Sequence, residues 1–232
     1  MLHTQTVEAG TLALIKKLMD DSNLNEFNLV GGTALSLKLG HRLSIDIDLF
    51  STTSFNAPEL TSYLKENYNA AIENAISNGI FCFIDKVKVD LISHQYPLVG
   101  KIDVEEGIRM VSLTDIGAMK LNAIHGNGTR LKDFVDMYIL LEHFSLNEML
   151  QACNQKYPDL NIQMVHKSLI HHADIDFPDR IRYIGPTVKW ARINDRLKKA
   201  FYNPHLTFGL PEITKKLMQK KDDTNIKRKR RL

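Results

Sequence analysis

Hydrophobic and polar residues alternate along this chain with two different periods. Hydrophobic residues recur every three or four positions in eight segments, which is typical of amphipathic helices. These segments are 11–19, 33–39, 57–68, 112–124, 129–144, 146–156, 162–172 and 187–201. Short runs rich in Val, Ile and Leu predict strands in six further segments. These are 25–30, 42–49, 72–77, 80–84, 87–92 and 108–111.

All six predicted strands lie in the first half of the chain, whereas the second half is helical. This order predicts an α/β (α+β) fold, in which a mixed sheet is flanked by helices and followed by a helical C-terminal region. The Asn78-Gly79 and Asp85-Lys86 pairs predict tight turns between neighbouring strands. We assign a core to 1–112, a helical region that completes the functional site to 113–210, and a basic, disordered tail to 211–232.

The segment 29–50, LVGGTALSLKLGHRLSIDIDLF, brings glycines and carboxylates close together in the sequence. A strand leads to a turn at Gly31, Gly32 and Thr33, and a short helix follows from Thr33 to residue 39. In the next strand, side chains alternate between two faces. One face carries Leu43, Ile45, Ile47 and Leu49, and the other carries Arg42, Ser44, Asp46 and Asp48.

Asp46 and Asp48 repel each other on one strand face unless a cation lies between them. Mg²⁺, or Mn²⁺, is the expected cation, because hard cations take oxygen ligands and often only one or two protein carboxylates. The glycine pair precedes a helix whose free N–H groups would bind phosphate. Ser44 shares the aspartate face, so it would contact the γ-phosphate or be modified; alternatively, it is only a small residue tolerated beside a crowded site.

A third carboxylate, Asp90, follows on the polar side of the strand 87–92. Taken alone, it would keep an edge strand soluble. Farther along, Arg130, Asp133 and Asp136 are spaced three residues apart and share one helix stripe. Taken alone, Arg130 and Asp133 would form an ion pair on a solvated surface, worth a few tenths of a kcal/mol.

Together these motifs resemble the AbiEii/AbiGii toxin-like branch of the DNA polymerase β-like nucleotidyltransferases. The resemblance covers about 27–144 and rests on Gly-Gly-Thr, Asp-Ile-Asp, Lys-Leu-Asn-Ala from Lys120, and Arg-Leu-Lys-Asp-Phe-Val-Asp from Arg130. It implies a polymerase β-like core. It also implies that Lys120 binds nucleotide phosphates, that Asp133 acts in catalysis or positions the site, and that Asp136 and Arg130 support it.

The implied activity is transfer of a nucleotide from an NTP to an acceptor, with catalysis by Asp46, Asp48, Lys120 and Asp133. The implied metal ligands are Asp46, Asp48 and Asp90, and either Asp90 or Asp133 would be the general base. RNA, above all tRNA, is the implied acceptor, and the implied biological role is that of a bacterial toxin with a separate antitoxin. Two alternatives remain open: transfer to a small molecule such as an aminoglycoside, and a silent relative that binds a nucleotide or a partner protein.

The amino-acid composition bears on the cellular location of the protein and on its charge distribution. The chain has 232 residues, 44% hydrophobic and 25% charged, which is ordinary for a globular protein. We find no signal peptide, no apolar run near the ~20 residues of a membrane helix, and only two cysteines, so we expect a cytoplasmic protein without a membrane partner. The total charge is +3, and 215–232 carries +7, which leaves −4 for the preceding 214 residues. This basic tail would contact RNA phosphates, or it is simply solvated.

Overall fold

The computed structural model describes residues 1–177 and 181–209, so the predicted basic tail 211–232 lies outside the described residues. Within these ranges, seven strands form one mixed sheet. They are β1 (Asn28–Leu29), β2 (Ile47–Ser51), β3 (Ala71–Ile76), β4 (Gly79–Ile84), β5 (Val87–Ser93), β6 (Asp103–Glu105) and β7 (Ile108–Met110). The strand order is β3-β4-β5-β2-β1-β7-β6. The pairs β2/β5 and β1/β7 are parallel and the other neighbours are antiparallel.

Eight α-helices surround this sheet in the described ranges. Three of them precede β7, and the other five make up most of the described chain after it. They are α1 (Ala9–Asp20), α2 (Gly31–Leu39), α3 (Ala57–Tyr68), α4 (Leu113–Gly126), α5 (Leu131–Leu140), α6 (Leu146–Lys156), α7 (Ile162–Ser168) and α8 (Trp190–Tyr202). α2 packs against β2 and α4, and α4 in turn packs against α5, α6 and α7. The predicted fold class is therefore confirmed, and α4 is the helix that joins the sheet to the helical region.

The strand predicted over 42–49 begins later than its hydrophobic alternation suggested, because β2 starts at Ile47. Arg42 and Ser44 are buried whereas Ile45 is 52% exposed, the reverse of what the alternation requires. The physical reason is that Arg42 finds a buried carboxylate partner, and a paired charge can be buried where an unpaired one cannot. Ser44 therefore does not share a strand face with the aspartates, and that part of the prediction is wrong.

Other boundaries shift without changing the fold. The helix predicted from Thr33 begins at Gly31, the strand predicted over 25–30 is only β1, and α5, α7 and α8 are shorter than predicted. The strand predicted over 108–111 is present as β7, whereas its hairpin partner β6 was not predicted, because a strand of three residues is too short to show a period. The two strands are joined by a turn at Glu106-Gly107, both with positive φ.

β5 lies between β4 and β2, so Asp90 belongs to an interior strand and its interpretation as an edge-strand residue is wrong. The interpretation of Asp133 as half of a solvated surface pair is wrong as well, since Asp133 is buried. In the ranges the structure describes, none of the helices combines the length and the apolar character that a membrane crossing requires.

Candidate active site

Two carboxylates lie side by side at the centre of the sheet, and a third lies just before one of its strands. Asp48 on β2 lies directly beside Asp90 on the parallel strand β5, as their register shows. Asp46 precedes β2 by one residue and its side chain is 39% exposed. Lys88 lies two residues before Asp90 on β5, and its Nζ donates to Asp90 Oδ2 at 2.8 Å. Of the three aspartates that the sequence predicted as metal ligands, the sheet places Asp48 and Asp90 side by side, and Asp46 lies one residue before β2.

The charge state of this cluster favours a bound cation. Burial, reinforced by the neighbouring Asp90 and Asp46 carboxylates, raises the pKa of Asp48 above its usual range, although Lys120 acts in the opposite direction. Asp90 Oδ1 is buried and has no hydrogen-bond partner within the described part of the chain. A buried carboxylate oxygen without a partner is costly, and a divalent cation would satisfy it.

Residues 1–177 and 181–209 contain no group of three His, Cys, Asp or Glu side chains close enough together to hold a metal ion by themselves. Mg²⁺ does not need such a group, because it keeps several waters and takes one or two carboxylates together with substrate phosphates. The orphaned Asp90 oxygen and the raised pKa of Asp48 therefore fit a metal that is bound together with a nucleotide.

The glycine pair places the start of α2 against the carboxylates. Gly31 has a φ of +68°, a left-handed conformation that side chains disfavour, and a Cβ at this position would clash with Asp48 Oδ2. A Cβ at Gly32 would clash with Arg42 Nη2. Gly31 lets the first turn of α2 approach Asp48 closely, and Gly32 lets it approach Arg42. The N–H groups of a first helical turn are suited to bind phosphate.

Replacing Gly31 by alanine is expected to weaken both the fold and nucleotide binding. The left-handed conformation costs about 1–2 kcal/mol for a residue with a Cβ, and the added methyl group displaces Asp48. The melting temperature and the affinity for Mg²⁺-NTP measure the two effects. Gly10→Ala in α1 is the matched control, since its Cβ meets no atom within 4 Å. Equal behaviour of the two variants would contradict the close approach described here.

Thr33 and Ser44 lie beneath this turn and are buried. The Thr33 hydroxyl donates to the Asp46 carbonyl and lies 2.9 Å from Ser44 Oγ. Both side chains therefore connect α2 to the loop that carries Asp46. Their predicted contact with the phosphates stays a prediction, and in this structure their hydroxyls are engaged with the protein.

Lys120 on α4 is buried between two carboxylates of α5. Its Nζ donates to Asp133 Oδ1 at 2.6 Å and lies 2.7 Å from Asp136 Oδ2. Burial alone would lower the pKa of Lys120, but Asp136 and Asp133 hold it above its usual range. Arg130 donates to both Asp133 oxygens, Nε at 2.8 Å and Nη2 at 3.0 Å. Burial would raise the pKa of Asp133, but Lys120 and Arg130 lower it, so Asp133 is a weak base.

Asp136 connects this group to the loop before β2. Arg42 donates to it through two nitrogens, Nε to Oδ1 at 2.7 Å and Nη2 to Oδ2 at 2.8 Å, and His41 Nε2 lies 2.8 Å from Oδ1. Burial would raise the pKa of Asp136, but Arg42, Lys120 and His41 hold it well below its usual range. Arg42, Lys120 and Arg130 thus face the carboxylates of Asp133 and Asp136, so these five side chains together carry a net charge of +1.

Two clefts border the carboxylates. The first, of about 360 Å³, is bounded by Gly31, Gly32, Asp48, Asp90, Lys120 and Arg130 at one end, and its size is in the range of small-molecule sites. The second, of about 110 Å³, is bounded by residues of the loop before β2 together with Lys132 and Arg182. Lys132 Nζ lies 4.0 Å from Asp46 Oδ2. Asp46 therefore borders the second cleft while Asp48 borders the first.

The sequence predicted most residues of the first cleft but not the basic residues that pair with its aspartates and with Asp136. The partner of His41 could not be read from the sequence, since Asp136 is 95 residues away. Arg42, Lys88 and Lys132 were not singled out, although each contacts one of the aspartates. Arg196 on α8 is engaged within the protein, because its guanidinium lies 3.6 Å from the centre of the Tyr138 ring and donates to Glu142.

Comparison with known proteins agrees with this geometry. A family model described as nucleotidyl transferase AbiEii toxin, type IV TA system, matches residues 13–105 and 81–200. An uncharacterized protein of Aquifex aeolicus (strain VF5), aq_aa25, is 26% identical over 166 residues, which cover 69% of this chain and 80% of that protein.

Two solved structures from Helicobacter pylori share the fold. One, described as a candidate nucleotidyltransferase, is 19% identical with a TM-score of 0.52 and covers 85% of this chain and 96% of that one. The other, JHP933, is also 19% identical, with a TM-score of 0.50, and covers 96% of this chain and 99% of that one. The polymerase β-like nucleotidyltransferase fold predicted from the sequence is confirmed.

Proposed function

We propose that this chain, which belongs to the AbiEii nucleotidyl transferase toxin family, transfers a nucleoside monophosphate from an NTP to RNA, with tRNA as the prime candidate. The observation that carries the proposal is the register of Asp48 beside Asp90, with an unpartnered Asp90 oxygen, next to the glycine turn that starts α2. That arrangement offers carboxylates for a metal and N–H groups for a triphosphate in one cleft.

In the proposed reaction the NTP lies in the first cleft. The α2 turn at Gly31 and Gly32 binds the phosphates, and Arg130 and Lys120 offset their charge. Asp46, Asp48 and Asp90 would hold Mg²⁺ or Mn²⁺, which supplies charge stabilisation and a more reactive acceptor oxygen. An acceptor hydroxyl forms the new bond to the α-phosphorus, and pyrophosphate leaves with the electrons of the broken P–O bond. The hydroxyl proton passes to Asp46, which borders the second cleft, instead of to Asp90 in the first cleft or to Asp133, which is a weak base.

The second cleft suits the acceptor. Phosphoryl transfer places the attacking and leaving oxygens roughly in line on opposite sides of the phosphorus, and the second cleft opens on the Asp46 side of the carboxylates. Lys132 and Arg182 line it, so its mouth attracts phosphate groups and repels cations. This charge supports an RNA acceptor over the alternative of a cationic aminoglycoside.

As a member of this family the enzyme would act in the cytoplasm as a toxin restrained by a separate antitoxin. The decisive experiment incubates the protein with each α-³²P-labelled NTP, Mg²⁺ and either total bacterial RNA or a panel of aminoglycosides. Label on RNA that disappears with Asp46→Ala/Asp48→Ala supports the proposal. Label on an aminoglycoside instead would establish the small-molecule alternative, and label on neither would favour the silent binding protein.

Neutralising the second cleft is expected to weaken RNA binding without weakening NTP binding. The double variant Lys132→Ala/Arg182→Ala should lower RNA affinity about tenfold and reduce the slope of log affinity against log salt by about 2, because two RNA phosphates would no longer be neutralised. Filter binding over a range of salt concentrations measures both. The control is Lys16→Ala/Lys65→Ala, two exposed lysines on α1 and α3. An unchanged slope would place the RNA elsewhere.

A further inference from the structure

The first cleft continues beyond the carboxylates into an aromatic end. Phe50 follows Asp48 on the same side of β2, and Ile92 follows Asp90 on the same side of β5, paired with Phe50. Phe50, Ile92, His94 and Tyr157 line this end. The same cleft is therefore lined by the carboxylates of Asp48 and Asp90, by the cations Lys120 and Arg130, and by an apolar group with flat rings.

The rings at this end contact one another and are held in place. His94 lies with its centroid 5.1 Å from Phe50, 4.8 Å from Tyr96 and 5.7 Å from Tyr157. The Tyr157 hydroxyl lies 3.2 Å from His94 Nε2. Burial lowers the pKa of His94 to about 4, so this ring is neutral at physiological pH. A neutral, fixed set of rings offers a stacking surface that carries no charge of its own and therefore does not attract the phosphates.

A polar group faces these rings from α4. Asn122 borders the cleft next to Met119 and Ala123, and its side chain lies beside the Tyr157 hydroxyl. An amide carries both donors and an acceptor, so it is able to hydrogen-bond the edge of a flat polar ring. Among the residues of this end, Asn122 combines a polar side chain with a position above the aromatic surface.

We propose that the aromatic surface of Phe50, His94 and Tyr157 binds the base of the nucleoside triphosphate, and that Asn122 discriminates among bases through its edge. The inference rests on the proposed function and adds a specificity site to it. Strand geometry supports the spacing: two residues along β2 place Phe50 about 7 Å from Asp48, so a nucleotide whose phosphates lie at Asp48 extends its base toward the rings. Base stacking on aromatic side chains contributes about 1–3 kcal/mol.

The test compares binding of the four NTPs with binding of inorganic tripolyphosphate, each with Mg²⁺, by calorimetry on the full chain. Wild type is expected to bind NTPs more tightly than tripolyphosphate. His94→Ala should weaken NTP binding about tenfold and leave tripolyphosphate binding unchanged, whereas His94→Phe, which keeps a ring, should restore most of the affinity. Asn122→Ala should reduce the differences in affinity among the four NTPs.

The matched control is Tyr202→Ala, which removes an aromatic side chain that is 71% exposed on α8. Equal NTP affinity of wild type and His94→Ala would overturn the base site while leaving the proposed function intact. An equal loss of NTP and tripolyphosphate affinity in His94→Ala, with no recovery in His94→Phe, would also overturn it, because the ring would then only support the fold. If wild type binds no NTP at all, the proposed function fails together with the base site.

Discussion

Asp48→Asn is expected to lower the rate of nucleotide transfer at least about 10³-fold while making the metal-free protein more stable. The loss of rate follows because a bound metal contributes several kcal/mol of charge stabilisation, and each 1.36 kcal/mol is tenfold in rate. The gain in stability follows because Asp48 is a buried carboxylate beside Asp90, and its replacement removes the repulsion between them. A residue that destabilises the fold and is nevertheless required for the reaction is a mark of a functional site.

The stability effect has a definite pH dependence. The pKa of Asp48 is raised in the folded protein, so the folded state holds a proton that the unfolded state releases first. Stability from this residue is therefore present below the unfolded pKa of 3.8 and is lost as pH rises through the folded pKa. The melting temperature of the metal-free wild type should fall over that range relative to Asp48→Asn, and the difference should persist up to neutral pH.

Two further measurements separate this account from a general surface effect. Mg²⁺ with a non-hydrolysable NTP should raise the melting temperature of wild type and not that of Asp48→Asn, because ligands stabilise only the state that binds them. Asp159→Asn, an exposed aspartate after α6, should change neither stability nor rate. A variant at Asp48 that transfers nucleotide at a normal rate would exclude this carboxylate from the metal site.

Sequence reasoning succeeded where the chemistry is local. Gly31, Gly32 and Asp48 lie within 18 residues, and their contact depends on one turn, one short helix and one strand. Asp90 was predicted because a strand carboxylate that comes after a helix and a hairpin resembles the third metal-site aspartate of the polymerase β-like nucleotidyltransferases. The relative position of these elements then follows from sheet pairing, which places Asp90 in register with Asp48.

The remaining parts depend on contacts that no periodicity encodes. Arg42 is buried because it forms an ion pair with Asp136, and this partner lies 94 residues farther along the chain. The aromatic surface combines residues from β2, the segment after β5 and the end of α6, none of which belongs to a repeating pattern. A pattern of hydrophobic residues predicts which side chains are buried against apolar neighbours, and it fails where burial is decided by charge pairing.

Asp136→Ala is expected to have the largest effect on stability, about 3–5 kcal/mol, because it leaves buried cations without their carboxylate. Asp136 is fully buried and receives hydrogen bonds from Arg42 through two nitrogens, with Lys120 2.7 Å away. Urea unfolding at neutral pH measures the loss. The pKa of Asp136 is lowered in the folded state, so its contribution is present above a pH of 3.8 and disappears as pH falls below it. Wild type and variant should therefore converge only in acid.

A double variant distinguishes a structural role of this pair from a functional one. Arg42→Met/Asp136→Met replaces both charges by apolar side chains, and such replacements of buried pairs are often neutral or stabilising. Lys120 keeps Asp133 as a partner in that protein. We expect the double variant to regain most of the lost stability and to stay poor in nucleotide transfer, since Arg42 also packs against Gly32 beneath the phosphate site.

The control Asp195→Ala, which breaks an exposed pair with Lys199, should change stability by less than about 1 kcal/mol. Full activity in a stable double variant would mean that the Arg42–Asp136 pair holds the fold together and does not position the site.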